Sequence, residues 1–125
     1  MPAKQVECSG WHTRDEIEDS LLAAKTLEDF RYWLRISLAW PGAVVGFGAT
    51  EKSAGEDAKK KAKAGASEFC RILRGCSQGQ QECEFDNYKL TIQDAYPPES
   101  DAGDWLVTGV VKQVKCKCAA PAPPK

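Results

Sequence analysis

The chain has 125 residues, which suits one domain, and its 42% hydrophobic and 28% charged residues are typical of folded globular proteins. Its 17 basic and 18 acidic side chains leave a formal net charge of -1, which excludes a strongly basic protein that holds nucleic acid by bulk charge. No apolar run approaches the ~20 residues of a membrane-spanning helix, and the composition is unlike that of collagen or of a disordered chain.

The first predicted element is a helix that follows an irregular N-terminal arm. Residues 1–12 lack any periodicity, and the only histidine, His12, falls in this arm, where we expect it on the surface. Thr13 and Glu16 match a capping box, in which each side chain satisfies a backbone N–H of the other residue. Apolar residues then recur at helical spacing, which predicts a helix over 14–30.

After the first predicted helix, apolar residues occur at every second position, a spacing that is typical of strands. Pro41 and Gly42 suit the central positions of a type II turn, so we expect a hairpin whose second strand covers 44–49. Gly46 and Gly48 lie on one face of that strand and would allow another element to approach closely. The first strand of the hairpin is predicted over 34–40 from four alternating apolar residues: Leu34, Ile36, Leu38 and Trp40.

A second helix is predicted over 53–74. Ser53 and Glu56 match another capping box, and Gly75 is a typical stop signal. Small residues dominate its apolar stripe, so this helix can lie close to a sheet. The stripe consists of Ala54, Ala58, Ala62, Ala66, Phe69 and Leu73.

Two further strands are predicted, over 84–93 and 105–118, followed by a disordered Pro/Ala tail at 119–125. The element order is therefore α-β-β-α-β-β within one domain at 13–118. Because hairpins and helices are segregated along the chain, the fold class is α+β. We expect a four-stranded antiparallel sheet with two helices packed on one face, stabilised by disulfides.

The six cysteines favour disulfides over a metal site. Their spacings lack the paired C-x2-C knuckles of structural zinc sites. A zinc site that joins Cys8 and His12 to the last two cysteines, or a set of buried free thiols, remains an alternative. The cysteines are Cys8, Cys70, Cys76, Cys83, Cys116 and Cys118.

Strand pairing narrows the disulfide connectivity. If Gln93 faces Trp105 in the last hairpin, Cys83 falls opposite Lys115 or Cys116, and cross-strand distances there suit a disulfide, so we predict Cys83–Cys116. The other predicted pairs are Cys70–Cys76, closing a short loop, and Cys8–Cys118, tying down the N-terminus.

Disulfides imply an oxidising compartment. The chain begins Met-Pro-Ala-Lys-Gln, without the apolar core of an export signal. We therefore expect a mature secreted or periplasmic domain whose signal is missing from this sequence. A cytosolic protein with unpaired thiols is the alternative.

Exposed aromatic residues are the best functional indication in the chain. If the helices cover the aliphatic side of the first predicted strand, Trp33 points to the other face, where Tyr32 or Trp11 could join it. Alternatively, the N-terminal arm or a second subunit buries them. Acidic residues flank the last loop and indicate a second binding surface, a calcium loop or a merely solvated surface: Asp94, Asp101 and Asp104.

The densest basic cluster lies on the second predicted helix and comprises Lys59, Lys60, Lys61 and Lys63. With the preceding 44–53 stretch, this cluster resembles the end of a double-stranded RNA-binding domain, and the resemblance covers about a fifth of the chain. That family's lysine helix meets phosphates, so the resemblance implies an anion-binding face. The family's first strand has no counterpart here. A solvated outer helix face is the simpler interpretation.

Catalytic motifs are missing from the sequence. It contains no G-x-S-x-G, P-loop or H-E-x-x-H pattern, and its one histidine leaves few acid–base arrangements. We therefore predict a small exported binding domain with no catalytic activity, cofactor or metal. Its partner would be another protein, as for an inhibitor, an immunity protein or an envelope accessory protein. The alternative is a nucleic-acid-binding module that uses the lysine cluster.

Overall fold

Three helices and four strands follow one another in the part of the chain that the computed structural model describes, residues 9–73, 82–100 and 103–119. The fold is α+β with a four-stranded antiparallel sheet, which confirms the predicted class, but the order after a short first strand is α-α-β-α-β-β. The elements are β1 (Gly10–His12), α1 (Arg14–Leu22), α2 (Leu27–Ala39), β2 (Ala43–Gly48), α3 (Glu51–Ile72), β3 (Glu82–Tyr96) and β4 (Trp105–Ala119).

The sheet is organised around β4, with which every other strand pairs. The β3 strand runs antiparallel along the whole of one edge of β4. On the other edge, β1 pairs with 114–116 and β2 pairs with 105–110, so these two strands lie end to end. The predicted strands at 84–93 and 105–118 are confirmed; β3 is five residues longer than predicted, 15 against 10, and β4 is one residue longer, 15 against 14.

The α3 helix packs across one face of the sheet, as its alanine stripe predicts. Ala54, Ala58, Ala62 and Ala66 are fully buried. A Cβ atom at Gly46 of β2 would overlap the backbone of α3, so glycine is what lets the helix sit directly on the strand. The helix begins earlier than predicted, because its capping box is formed by Thr50 and Ser53.

The predicted helix over 14–30 is in fact two helices, and the predicted strand over 34–40 is wrong. Thr26 is the N-cap of α2, and its side chain accepts a hydrogen bond from the backbone N–H of Asp29, so a new helix begins there. Within α2, Ile36 is fully buried while Leu38 is exposed, so the alternating residues lie on different faces of a helix. Consequently, the expected hairpin around Pro41 does not form, and three helices replace the two predicted ones.

The core lies between α3 and the inner face of β4, which contributes Val107, Val111 and Val114. Ile17 of α1 and Ile36 of α2 complete it. The α1 and α2 helices therefore share one core with α3 and β4.

His12 is buried, so the expectation that it is a surface residue is wrong. Its ring packs edge-on against Phe69, with ring centroids 5.9 Å apart. Its Nδ1 atom lies 2.9 Å from Oε2 of Glu16, across the start of α1. The alternation of β1 explains the burial, because His12 faces the helices while Trp11 faces the opposite side.

The N-terminal arm was predicted to be irregular, but its last residues form β1. The adjoining Ser9 side chain donates to the carbonyl of Cys118 and accepts from its N–H, at 3.1 and 2.9 Å. These hydrogen bonds hold the arm against β4. Of the predicted tail at 119–125, Ala119 ends β4 and the rest lies outside the described residues.

The predicted disulfide pairs are wrong because β3 extends further than expected. Strand pairing continues through Tyr96, which faces Leu106, and this places Cys83 opposite Cys118 rather than Cys116. Among the described residues, the structure contains two disulfides, Cys70–Cys116 and Cys83–Cys118. The predicted pairs Cys83–Cys116, Cys70–Cys76 and Cys8–Cys118 are therefore all excluded, while Cys8 and Cys76 themselves lie outside the described residues.

These disulfides indicate an oxidising compartment. None of the described helices is long and apolar enough to cross a membrane.

Candidate functional site

The sheet face opposite α3 is the candidate functional site, and we call it the open face. Side chains alternate along a strand, so the neighbours of the buried valines in β4 point to this side. Within the described residues no helix covers it. Its exposed apolar and aromatic side chains are Trp11 of β1, Val45 and Phe47 of β2, and Tyr96 of β3.

One end of the open face combines an aromatic ring with positive charge. The Lys89 ammonium lies 4.9 Å from the centroid of the Trp11 ring, and that of Lys115 lies 5.9 Å from it. Both distances fit cation–π contacts, which hold the two charges over the ring. A weak ion pair with Asp86, at 3.6 Å, offsets part of the charge of Lys115. This end can therefore receive a carboxylate beside an aromatic surface.

The other end of the open face is apolar. Phe47 is 49% exposed and Tyr96 is 52% exposed, and the strand register places both beside Leu106 of β4. Val45 lies two residues from Phe47 on the same side of β2. These exposed side chains form a cluster on the sheet surface, the kind of apolar patch that marks interaction surfaces.

The predicted aromatic site is split between two parts of the molecule. Trp11 does lie on the open sheet face, as the hypothesis of an exposed aromatic there required. Tyr32 and Trp33, however, belong to α2, where they form an edge-to-face pair with centroids 5.0 Å apart. Both are half-buried against the core, and because Trp33 belongs to a helix, the expectation that it projects from the open side of a sheet is wrong.

The predicted acidic surface is also divided. Asp94 lies within β3, opposite Thr108, and is exposed on the open face. Asp104 is exposed just before β4. Asp101 lies outside the described residues, and so does part of the loop to which it belongs. Asp94 therefore adds a negative charge near the apolar end of the open face.

Asp57 and Lys61 of α3 cap the free edge of β2. The backbone N–H of Phe47 donates to the Asp57 carboxylate at 3.0 Å, and the Lys61 ammonium donates to the carbonyl of Val45 at 2.9 Å. The two side chains also pair with each other at 3.0 Å. The Phe47 hydrogen bond and Lys61 together lower the pKa of the Asp57 carboxyl below its usual value. These contacts block the unpaired backbone groups that make edge strands prone to association.

This capping role changes the interpretation of the lysine cluster. Lys61 points toward β2, whereas Lys59 lines a shallow groove on the β3 side together with Glu51 and Glu56. Lys60 and Lys63 are exposed on α3. The four lysines thus spread around the helix instead of forming one face. The hairpin that supported the resemblance to RNA-binding domains is replaced by α2 and β2.

Metal binding finds no support in the described residues. Cys116 and Cys118 are bonded to other cysteines, so the proposed zinc ligands are not thiolates. No group of three or more histidine, cysteine or acidic side chains in residues 9–73, 82–100 and 103–119 is placed to hold a metal ion.

Three residues of the open face were missed by sequence reasoning: Val45, Phe47 and Tyr96. Val45 and Phe47 were assigned to one side of a strand, but their exposure depends on which side α3 covers. The paired glycines Gly46 and Gly48 carry that information, because the helix must approach the glycine side.

Comparison with protein-family models, with curated proteins and with solved structures finds no match for this chain. Its function must therefore be inferred from its own surface.

Proposed function

We propose that the chain is a non-catalytic domain that binds another protein through the open face of its sheet, in a secreted or periplasmic setting. The observation that carries this proposal is the set of aromatic and apolar side chains that no described helix covers. Aromatic residues on a rigid surface are the usual anchors of protein interfaces, because they bury a large area at a small cost in conformational entropy.

The chemistry of the open face defines the partner. The apolar end requires an apolar patch that covers Phe47 and Tyr96, because hydrophobic burial supplies most of the binding free energy. The basic end, at Lys89 and Lys115, requires carboxylates that border this patch. The proposed partner is therefore a folded protein with an apolar surface flanked by acidic residues, as an inhibitor or immunity protein would recognise.

The disulfides also support the proposed binding role, because they hold the sheet rigid. Cys70–Cys116 fastens α3 to β4, and Cys83–Cys118 closes the end of the β3–β4 hairpin. A rigid sheet that is crosslinked outside its binding surface keeps the open face preorganised, which lowers the cost of binding.

Photo-crosslinking tests the proposal. A photoreactive residue in place of Phe47 should capture a specific protein from the exported fraction, whereas the same residue in place of Lys60, on α3, should not. The captured protein is then identified and purified. With it, Trp11→Ala and Phe47→Ala should each weaken binding by about 30-fold, the effect of an aromatic hot spot. Lys60→Ala is the control and should bind with unchanged affinity.

Two results would contradict this assignment. One is capture only from the α3 position, and the other is unchanged affinity of both aromatic variants for the purified protein. Circular dichroism of each variant confirms that the fold is retained.

Nucleic-acid binding is the second candidate, and one observation favours it. Lys60 and Lys63 are exposed on α3 and make no ion pair within the described residues. Two phosphate contacts would give weak binding with a shallow dependence on salt, because each contact releases about one counterion. Retention on heparin that falls with salt, and that is lost in Lys60→Glu with Lys63→Glu, would support this candidate over the first.

A further inference from the structure

The disulfides Cys70–Cys116 and Cys83–Cys118 differ in their access to solvent, and we call them the inner and the outer disulfide. Cys70 and Cys116 are buried between α3 and β4, at 0% and 1% exposure. Cys83 and Cys118 are half-buried at the margin of the core, where β3 begins and β4 ends. Thiol–disulfide exchange requires a thiolate to reach a sulfur atom, so its rate depends on access. A dissolved thiol therefore reaches the outer disulfide in the folded protein, whereas the inner one reacts only when the core opens.

The outer disulfide lies near the basic end of the open face. In β4, Cys118 comes shortly after Lys115, whose ammonium contacts the Trp11 ring. Phe47 pairs with Leu106, at the opposite end of β4. An event at the outer disulfide therefore acts on the Trp11 end of the binding surface and leaves the apolar end unchanged.

Ser9 joins the outer disulfide to β1. Its hydroxyl donates to the carbonyl of Cys118 and accepts from the N–H of the same residue. The β1 strand has only three residues, so this contact is an important part of its attachment to β4. Once the outer disulfide is open, the end of β4 frays, Ser9 loses its partner and Trp11 loses its fixed position. The inner disulfide still holds Cys116, so the core stays folded.

We propose that the outer disulfide is a thiol-exchange site that regulates the basic end of the open face. The oxidised form fixes Trp11 for binding, and the reduced form releases it. The reacting partner is a dithiol reductant. This regulation rests on the proposed function, because it acts on the same binding surface.

The exchange consists of two substitutions at sulfur. One thiolate of the dithiol attacks a sulfur of the outer disulfide, the S–S bond breaks, and the other cysteine leaves as a thiolate. The second thiolate of the dithiol then attacks the dithiol's own sulfur in this mixed disulfide and releases the remaining cysteine. The dithiol ends as a cyclic disulfide, and its two electrons and two protons pass to Cys83 and Cys118. Oxidation by a disulfide reverses both steps.

Thiol mapping tests the accessibility without any binding partner. The oxidised full chain is incubated with dithiothreitol in native buffer and quenched with iodoacetamide, and the alkylated cysteines are identified by mass spectrometry. The outer pair should be alkylated at least about tenfold faster than the inner pair, because exchange of the inner disulfide requires the core to open. Equal rates, or faster modification of the inner pair, overturn the proposal. In unfolding urea the two rates should converge, and a difference that persists there contradicts burial as the cause.

Hydrogen exchange tests whether the outer disulfide holds β1. When the outer but not the inner disulfide is reduced, the amides of 10–12 should exchange about tenfold faster, whereas those of 107–111 in the core should not change. Cys83→Ser with Cys118→Ser should show the fast exchange with or without dithiothreitol. Unchanged exchange of 10–12 in the reduced wild type contradicts the coupling. A dithiothreitol effect that persists in the double variant overturns the assignment to this disulfide. If circular dichroism shows the double variant to be unfolded, the reduced wild type decides.

Binding to the protein captured by crosslinking tests the regulation itself. Reduction of the outer disulfide should weaken binding by about fivefold, because Trp11 is present but no longer preorganised. In Trp11→Ala, reduction should have no further effect, whereas Phe47→Ala should keep the whole loss. Unchanged affinity of the reduced wild type, or an equal loss in Trp11→Ala, overturns the regulation. Failure to capture any protein counts against the proposed function alone, because thiol mapping and hydrogen exchange need no partner and still decide whether the outer disulfide opens and releases β1.

Discussion

The helices α2 and α3 differ in a way that reverses the usual expectation. The α3 helix has a stripe of alanines, and it is fully buried on that side. The α2 helix has a stripe of leucines, and that stripe is exposed. Hydrophobicity of the side chains therefore does not decide which helix covers the sheet.

The size of the side chains on the helix decides which helix packs on the sheet. The alanines of α3 meet Gly46 and Gly48 of β2, so helix and strand approach until backbone nearly touches backbone. Close-packed small residues gain dispersion contacts along their whole length, and they leave no room for larger side chains. The leucines of α2 cannot enter such an interface and stay exposed.

The largest expected effect comes from removing the disulfide that fastens α3 to the sheet. Cys70→Ala with Cys116→Ala should lower the free energy of unfolding by about 4 kcal/mol, since the crosslink closes a long loop. Urea unfolding of this variant should have a lower midpoint than that of Cys83→Ala with Cys118→Ala, because both Cys70 and Cys116 are buried and their packing is also lost. Equal midpoints for wild type and variant would mean that α3 is held by packing alone.

A single methyl group tests the close approach of α3. Gly46→Ala should lower the free energy of unfolding by about 3 kcal/mol, because the added Cβ overlaps the backbone of Ala54 and Ala58. The matched change is Gly55→Ala on α3, where an added Cβ meets no atom within 4 Å. There the higher helix propensity of alanine should raise stability by up to about 1 kcal/mol. Equal free energies of unfolding for Gly46→Ala and Gly55→Ala would mean that the close contact between α3 and β2 does not contribute to stability.

On α2, substitutions to alanine should have different effects on stability on the buried and the exposed side of the helix. Ile36→Ala should lower the free energy of unfolding by about 3 kcal/mol, because it leaves a cavity in the core. Leu38→Ala should change it by less than about 0.5 kcal/mol, since the side chain is exposed. Both are measured by urea unfolding. A large loss for Leu38→Ala would place that residue inside the packed interior of the protein.

The smallest expected effect concerns pH and the capped edge of β2. Because the folded state lowers the pKa of Asp57, its ionised form stabilises the fold above the ordinary pKa of 3.8, and this stabilisation is lost as the pH falls through the lower folded value. Asp57→Asn should therefore have a urea midpoint that varies less with acid pH than that of the wild type. Glu56→Gln, on the same helix, is the control and should keep the wild-type slope. If the urea midpoints of Asp57→Asn and wild type change equally with pH, the ionised Asp57 does not contribute to stability.

These contrasts also explain how far the sequence could predict the fold. The long elements α3, β3 and β4 were all predicted. The apolar stripe of α3 keeps one helical period, and the alternation of β3 and β4 stays recognisable although their pairing contains three register shifts. The α2 segment satisfies two periods, because Leu34, Ile36 and Leu38 alternate like a strand and also fit a helix that is apolar on both sides. The cap formed by Thr26 with the backbone of Asp29 is the local signal that favours the helix.

The disulfides and the candidate site depended on information beyond local pattern. Cysteine pairing depends on where β3 ends: pairing continues through Tyr96, and the partner of Cys83 is therefore Cys118 instead of Lys115 or Cys116. The short β1 strand has too few residues to show a period, so neither the burial of His12 nor the exposed position of Trp11 could be derived. Both depend on pairing with β4, which is distant in the sequence.

The central place of β4 has a consequence for how the protein acquires its structure. Within the described residues, all strand pairs of the sheet include β4, which follows the other described elements, and the Cys70–Cys116 and Cys83–Cys118 disulfides each include one of its residues. Before β4 is synthesised, the other described strands therefore have no strand to pair with. Most contacts of the fold are between residues far apart in the sequence, which slows folding. We therefore expect the sheet to assemble only once β4 has been made, and the Cys70–Cys116 and Cys83–Cys118 bonds to close at that same stage.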